Sequence, residues 1–146
     1  MSNLESLEKI KSVYSLKYDL AISKVAILEK EHLRVKDKLD EILSYYNEYC
    51  DFFKKKSSQG LGIHQFKNHC QFISQFSPVI TQQKKIIQDL EVKITQEKKQ
   101  LFNHYKDFKS LEHILSKKNA ELSSLKSKQE ITSQEEHFVN MHFNKN

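Results

Sequence analysis

The residues best suited to chemistry in this sequence are its cysteines and histidines. Cys50 and Cys70 are the two cysteines, and His64 and His69 lie between them. Thiolate and imidazole groups are ordinary zinc ligands, so a metal site is one interpretation of these four residues. The other is that the cysteines are small, buried hydrophobic side chains. Two cysteines are too few for the disulfide scaffold of a small secreted protein.

Other catalytic patterns are weak or missing. A single Glu-x-x-His motif runs from Glu29 to His32, whereas a di-metal helix bundle needs two such motifs and further glutamates. The sequence has no Gly-rich phosphate loop, no nucleophile elbow and no HExxH zinc motif. We therefore expect a protein that is not an enzyme and holds no metal or cofactor.

Charge gives the first hint of a binding surface. The chain has 24 Lys+Arg against 19 Asp+Glu, and the excess lies late in the sequence. Lysines on a helix face are either simply solvated or fitted to an acidic or polar channel. Arg34 is the single arginine, which argues against nucleic-acid readout. The candidate lysines near the two termini are Lys9, Lys11, Lys17, Lys106, Lys109, Lys117 and Lys118.

Composition restricts the elements that position these residues. The 146 residues suggest one domain and include 2 Gly and 1 Pro, where average usage gives roughly 17. So few turn residues exclude a sandwich, a barrel or an alternating α/β sheet, and predict an all-α fold. The sequence contains no run of 18 apolar residues, so we expect no membrane span. Its first residues do not resemble a signal peptide. We expect a cytoplasmic protein.

Heptad repeats on both sides of Gly60 and Gly62 predict two long helices joined by a turn near residues 57–63. The first apolar stripe contains Tyr14, Tyr18, Ala21, Val25, Leu28, His32, Val35, Leu39, Ile42, Tyr46, Tyr49 and Phe53. The second contains Phe66, Ile73, Ile80, Ile87, Ile94, Leu101, Phe108, Leu115 and Leu122, with a half-polar companion row from Phe76 to Leu125. Together they predict an antiparallel coiled-coil hairpin.

The register follows from pairing facing residues whose numbers sum to 122, because every pair along the main row is then apolar. Tyr49 faces Ile73 and Val35 faces Ile87 in this register. It predicts a hairpin over 1–129, with helix one over about 4–56 and helix two over about 64–128. Pro78 predicts a kink or a break near residues 74–78. Residues 130–146 lose the heptad, so we expect a flexible tail.

Several apolar residues near the turn remain outside the seam of the hairpin. They are Tyr45, Phe52, Phe72, Val79 and Ile86. A two-helix hairpin has no third layer to cover them, and an exposed aromatic patch often marks a partner site. A self-association face or a wider seam is the alternative.

These residues also carry a family resemblance. The segment Tyr45-Tyr46-Asn47-Glu48-Tyr49, the turn at Gly60, Asn68 and Gln71-Phe72-Ile73 resemble the FliJ family of flagellar export proteins. The resemblance is clearest over residues 38–87. Stalk proteins of virulence type III secretion share the shape and are the near alternative, and a generic coiled-coil scaffold is another.

The resemblance implies a two-helix stalk similar to the central stalk of rotary ATPases. Its expected partners are the hexameric flagellar export ATPase, the cytoplasmic region of the export gate protein FlhA, and export chaperones. The lysines named above would contact the ATPase ring. By position, the gate-binding residues would be Ile42, Tyr45, Tyr49, Phe72, Phe76 and Val79. We expect a chain that is monomeric when free, cytoplasmic, and peripheral at the inner-membrane export apparatus.

Overall fold

Two helices account for nearly all of the chain. The computed structural model describes residues 2–144, in which α1 spans Ser2–Ser58 and α2 spans Ile63–Phe143. The described part contains no strand. The all-α helical hairpin predicted from the heptads is therefore confirmed. Helix α1 is slightly longer than predicted at both ends. Helix α2 begins close to its predicted start but extends well past its predicted C-terminal end.

The turn is short and depends on one glycine. Ser58 ends α1, and the amides of Gln59 and Gly60 donate to the carbonyls of Lys56 and Ser57, over 3.2 and 3.3 Å. Gly60 has a φ of 92°, in the left-handed region that disfavours residues with a Cβ. This conformation turns the chain out of α1, so that α2 begins three residues later.

Contacts between the helices divide the chain into two units. The turn unit contains residues 21–101, and the terminal unit contains residues 1–20 and 102–146. In the turn unit, Tyr46 packs against Phe76 and Phe53 against His69, and both pairs sum to the predicted 122. In the terminal unit, Tyr18 packs against Tyr105, a sum of 123. The antiparallel register is therefore as predicted in each unit.

Burial follows the first apolar stripe closely. All twelve of its members are buried or half-buried, and Val25, Val35 and Leu39 are the most deeply buried of them. On α2 the stripe is covered from Ile73 to Leu115. Each helix has one neighbour, so the core is a single seam rather than an enclosed interior.

Three residues assigned to the seam are exposed instead. Leu122 and Leu125 lie beyond the residues that α1 can face, because in this register Ser2 faces residue 120. Phe66 sits beside the turn, where its ring meets Phe53 at 5.6 Å on one side only. These residues occupy heptad positions, but no facing residue buries their side chains.

Residues 130–143, predicted as a flexible tail, continue α2 to Phe143, and the flexibility of this helical segment remains a prediction. The segment has lost the heptad, which removes a packing partner. However, it contains no Gly or Pro, the two residues that most disfavour a helix interior, so no residue in it forces the helix to end. Lys145 and Asn146, the rest of the predicted tail, lie outside the described residues.

The predicted break near Pro78 is wrong, because α2 runs through it without interruption. Proline removes the bond from its own amide to the carbonyl of Ser74. Side chains add bonds on either side: the Ser74 hydroxyl donates to the Gln71 carbonyl at 2.7 Å, and the Thr81 hydroxyl donates to that of Ser77 at 2.9 Å. A kink at this position remains a prediction.

Candidate functional site

A shallow aromatic groove lies in the turn unit, where α1 packs against α2. It has a volume of about 470 Å³ and is lined by Tyr45, Glu48, Tyr49, Phe72 and Phe76. The ring centroids of Tyr49 and Phe72 are 4.5 Å apart, and those of Phe72 and Phe76 are 5.3 Å apart. These spacings are typical of favourable aromatic pairs, so the rings hold one another in place before any partner arrives.

The groove brings together four of the six residues predicted to bind the export gate. Tyr45 and Phe72 are 59% and 43% exposed, whereas Tyr49 and Phe76 are half-buried beneath them. Two further predicted residues, Ile42 and Val79, are half-buried and exposed respectively, and neither lines the groove. The structure therefore confirms that Tyr45, Phe72 and Val79 are uncovered, as expected of residues outside the seam. Contact with a gate protein remains a prediction.

Polar groups also lie at the aromatic groove, where they can orient a bound partner. The carboxylate of Glu48 lines the groove. Glu48 is not among the predicted binding residues, although it lies within the tyrosine motif. The Tyr49 hydroxyl is hydrogen-bonded to Nδ1 of His69. Apolar rings beside a few oriented polar groups are the usual composition of a protein-binding surface.

The half-buried Cys50 belongs to the same region. The hydrogen bond between the Cys50 and Tyr46 side chains raises the pKa of the Tyr46 hydroxyl above its ordinary value, and charge repulsion from Cys50 adds to this effect. Cys70 is exposed, so the interpretation of both cysteines as buried hydrophobes is wrong for Cys70. Within residues 2–144, no three His, Cys, Asp or Glu side chains come together as a metal site would require.

The predicted lysine surface lies entirely in the terminal unit. Six of its seven lysines are exposed, and Lys11 is half-buried. Several hold their stems over aromatic rings: the Lys106 ammonium lies 4.9 Å from the centre of the Phe102 ring, and the Lys17 ammonium 5.6 Å from that of Tyr14. Lys109 also pairs with Glu112 at 3.3 Å. Contact with an aromatic face leaves the ammonium charge in place, and of the seven lysines Lys109 alone has an ion pair within the described residues.

Acidic groups interrupt the lysine surface. An open groove of about 760 Å³ in the terminal unit is lined by Lys11 together with Glu8 and Asp19, and its floor contains Phe108 and Leu115. The surface is therefore mixed in charge and not a uniform positive field. A partner that fits it needs both acidic and basic groups, which favours a specific protein over a simple polyanion.

Neither helix contains, within residues 2–144, a segment with the length and hydrophobicity of a membrane span. Comparison with known proteins finds one family, described as Flagellar FliJ protein, whose model matches residues 3–146. No curated protein and no solved structure gives a significant match. The match covers nearly the whole chain, and the helical hairpin is consistent with it. The chain belongs to the FliJ family of flagellar type III export proteins.

Proposed function

We propose that this protein is a non-enzymatic stalk that couples the hexameric flagellar export ATPase to the cytoplasmic region of the export gate protein FlhA. In this proposal the terminal unit enters the ATPase ring and promotes its assembly and activity. The turn unit docks on the gate and also binds export chaperones, and the protein acts at the periphery of the inner membrane. It needs no cofactor, because its role is mechanical.

The uncovered aromatic groove is the observation that carries the proposal. Tyr45 and Phe72 keep large apolar surfaces in water, because the seam beside them is already filled by other side chains. Exposure of this kind costs free energy of the order of ~25 cal/mol per Å² in the free chain, which a partner recovers on binding. The groove lies at the positions where the FliJ resemblance places the gate contact.

The ATPase contact is supported by the lysines of the terminal unit. A two-helix hairpin is asymmetric and cannot match six equivalent subunits at once. We infer that it engages the ring through adaptable, long-range charge contacts rather than through six identical apolar sites. Lysine suits this role because its ammonium group is a point charge on a flexible stem.

The proposal is tested by titrating this protein into the cognate export ATPase and measuring ATP hydrolysis. We expect stimulation that saturates near one chain per six ATPase subunits. Charge reversal of Lys106, Lys117 and Lys118 to glutamate should weaken stimulation at least tenfold. The matched control reverses Lys30, Lys36 and Lys38, which are exposed lysines of the turn unit.

Gate binding needs a separate measurement, in which the double variant Tyr45→Ala with Phe72→Ala is mixed with the cytoplasmic region of FlhA. We expect binding to be lost while ATPase stimulation is retained. The control is Ile27→Ala with Val92→Ala, which removes apolar side chains that are at least as exposed elsewhere in the turn unit. Loss of both activities in the folded Tyr45/Phe72 variant would contradict separate binding sites.

Two other functions remain as alternatives. A stalk of a virulence type III system would stimulate the ATPase of that system and not the flagellar one. A generic coiled-coil scaffold would form a stable homo-oligomer by light scattering and would leave ATP hydrolysis unchanged. The same titration therefore separates all three.

A further inference from the structure

We propose that the chain reversal of the turn unit is a binding surface for anionic lipid. This surface, the basic tip, consists of Phe52, Lys54, Lys55, Lys56, Ile63 and Lys67. It goes beyond the proposed function, because it requires neither the ATPase nor the gate.

The charge of the tip is unusually one-sided. Residues 52–67 contain four lysines and no Asp or Glu, and Asp51 is the adjoining acid on α1, whereas the whole chain has 24 basic and 19 acidic residues. The ion pairs found within the described residues involve Lys24, Lys98, Lys109, Arg34 and His32. The lysines of the basic tip have no such pair in the described part of the chain, so their charge is available to an external anion.

Helix capping explains only part of this pattern. Lys55 and Lys56 lie in the last turn of α1, where cations favour the helix dipole. The first turn of α2 contains no acidic residue, although an acid there would stabilise the helix, and Lys67 follows closely. The absence of acids at this helix start is therefore not a requirement of stability. It keeps the tip positive.

Apolar side chains protrude among these lysines. Ile63, the first residue of α2, is 76% exposed, the largest exposed fraction among the large apolar residues that the structure describes. Phe52 is half-exposed, and the Lys56 ammonium lies 5.1 Å from its ring centre. A lysine cluster attracts an anionic membrane surface, and adjoining isoleucine and phenylalanine side chains can enter the interfacial layer.

Lipid fits this chemistry better than nucleic acid or an acidic protein. The tip lacks arginine, whose planar fork is preferred for bidentate recognition of phosphates and carboxylates. Lysine ammonium groups suit a diffuse negative surface that presents no fixed geometry. The protruding aliphatic side chain of Ile63 also has no stacking role with bases, whereas it gains directly from an acyl boundary.

Vesicle co-sedimentation of the full chain tests the proposal. One set of vesicles contains only phosphatidylcholine, and the other contains phosphatidylcholine and phosphatidylglycerol at 3:1. We expect binding to the anionic vesicles only, with affinity falling steeply as salt rises. Changing Lys54, Lys55 and Lys56 to glutamine should weaken binding roughly 100-fold, since each lysine near such a surface contributes about fivefold.

Two matched controls isolate the tip. Lys30, Lys36 and Lys38 changed to glutamine alter net charge equally, and this variant should bind like the parent chain. Ile63→Ser should weaken binding severalfold and leave the remainder fully salt-sensitive, whereas Ile27→Ser, at a residue 69% exposed in the same unit, should have no effect. Circular dichroism confirms that each variant is helical.

Several outcomes would overturn the proposal. These are equal binding to neutral vesicles, equal losses in the two lysine variants, or no vesicle binding by the parent chain. Tighter binding of a single-stranded oligonucleotide through the same three lysines would reassign the tip to nucleic acid. Because the assay contains no ATPase or gate protein, its failure would leave the proposed stalk function intact.

Discussion

Two of the polar residues that interrupt the apolar seam, Glu97 and His32, each pair with a charged residue on the facing helix. Glu97 occupies a seam position, and its side chain is only 13% exposed while Lys24 pairs with it at 3.1 Å. His32, the polar member of the first stripe, contacts Glu91 at 3.1 Å. An ion pair near a seam offsets part of the desolvation of its half-buried partner but adds little net stability.

Replacing Glu97 with leucine should therefore stabilise the protein. A leucine at this position would extend the apolar contact with the buried Val25, a gain of about 1–2 kcal/mol after loss of the Lys24 pair. Urea unfolding followed by circular dichroism measures the change. Glu91→Leu, at a side chain 59% exposed, is the control and should shift the free energy of unfolding by less than about 0.5 kcal/mol. A destabilised Glu97→Leu variant would show that the ion pair outweighs burial.

At the scale of the elements, α2 continues well past the residues that α1 covers. Leu111 and Leu115 are its last buried residues, and every residue from 116 to 144 is exposed. An isolated helix of this length is only marginally stable in water, because propensity and internal hydrogen bonds barely offset the ordering entropy. We therefore expect α2 to be helical along its whole length but much less stable beyond Leu115 than within the seam.

Hydrogen exchange of the full chain should reveal this difference. We expect amides in residues 120–143 to exchange at least tenfold faster than those in residues 80–111, where the seam supports the helix. Mass spectrometry of proteolytic peptides measures both segments in one sample. Equal protection would mean that something covers the extension, and repeating the experiment at two protein concentrations would identify self-association as the cause.

For the whole molecule, the dominant property is the amount of surface left in water. The chain exposes 11956 Å², about 1.5 times the roughly 7,800 Å² expected of a globular protein of 17.3 kDa. Only five hydrophobic side chains are buried within the described residues, and none of the five is completely shielded from water. Much of the stabilising free energy that a compact domain obtains from its core is therefore available here only through partners.

The free protein should accordingly be only weakly stable. We expect a free energy of unfolding below about 5 kcal/mol, the lower end for natural domains, from urea denaturation followed at 222 nm. Addition of a partner that binds only the folded chain should raise the unfolding midpoint in proportion to the logarithm of its concentration. A value near 10 kcal/mol for the monomeric chain would show that the seam alone is sufficient.

Heptad spacing in the sequence determined the two helices, their antiparallel register and the side chains outside the seam. Tyr46 opposite Phe76 and the exposure of Tyr45 and Phe72 were predictable, because in a helix of fixed period sequence position alone specifies the face. The tyrosine motif likewise pointed to the family that the whole-chain match confirms.

Only the tertiary structure decided how these faces meet. It placed Tyr49 against Phe72 at 4.5 Å with Glu48 beside them, and it paired Glu97 with Lys24. It also showed that α2 passes through Pro78 and reaches Phe143, although the heptad ends near Leu125. The physical reason is that periodicity records where a helix finds a partner. Whether a segment without one stays helical, and which side chains touch across the seam, depends on backbone bonding and rotamers that no spacing encodes.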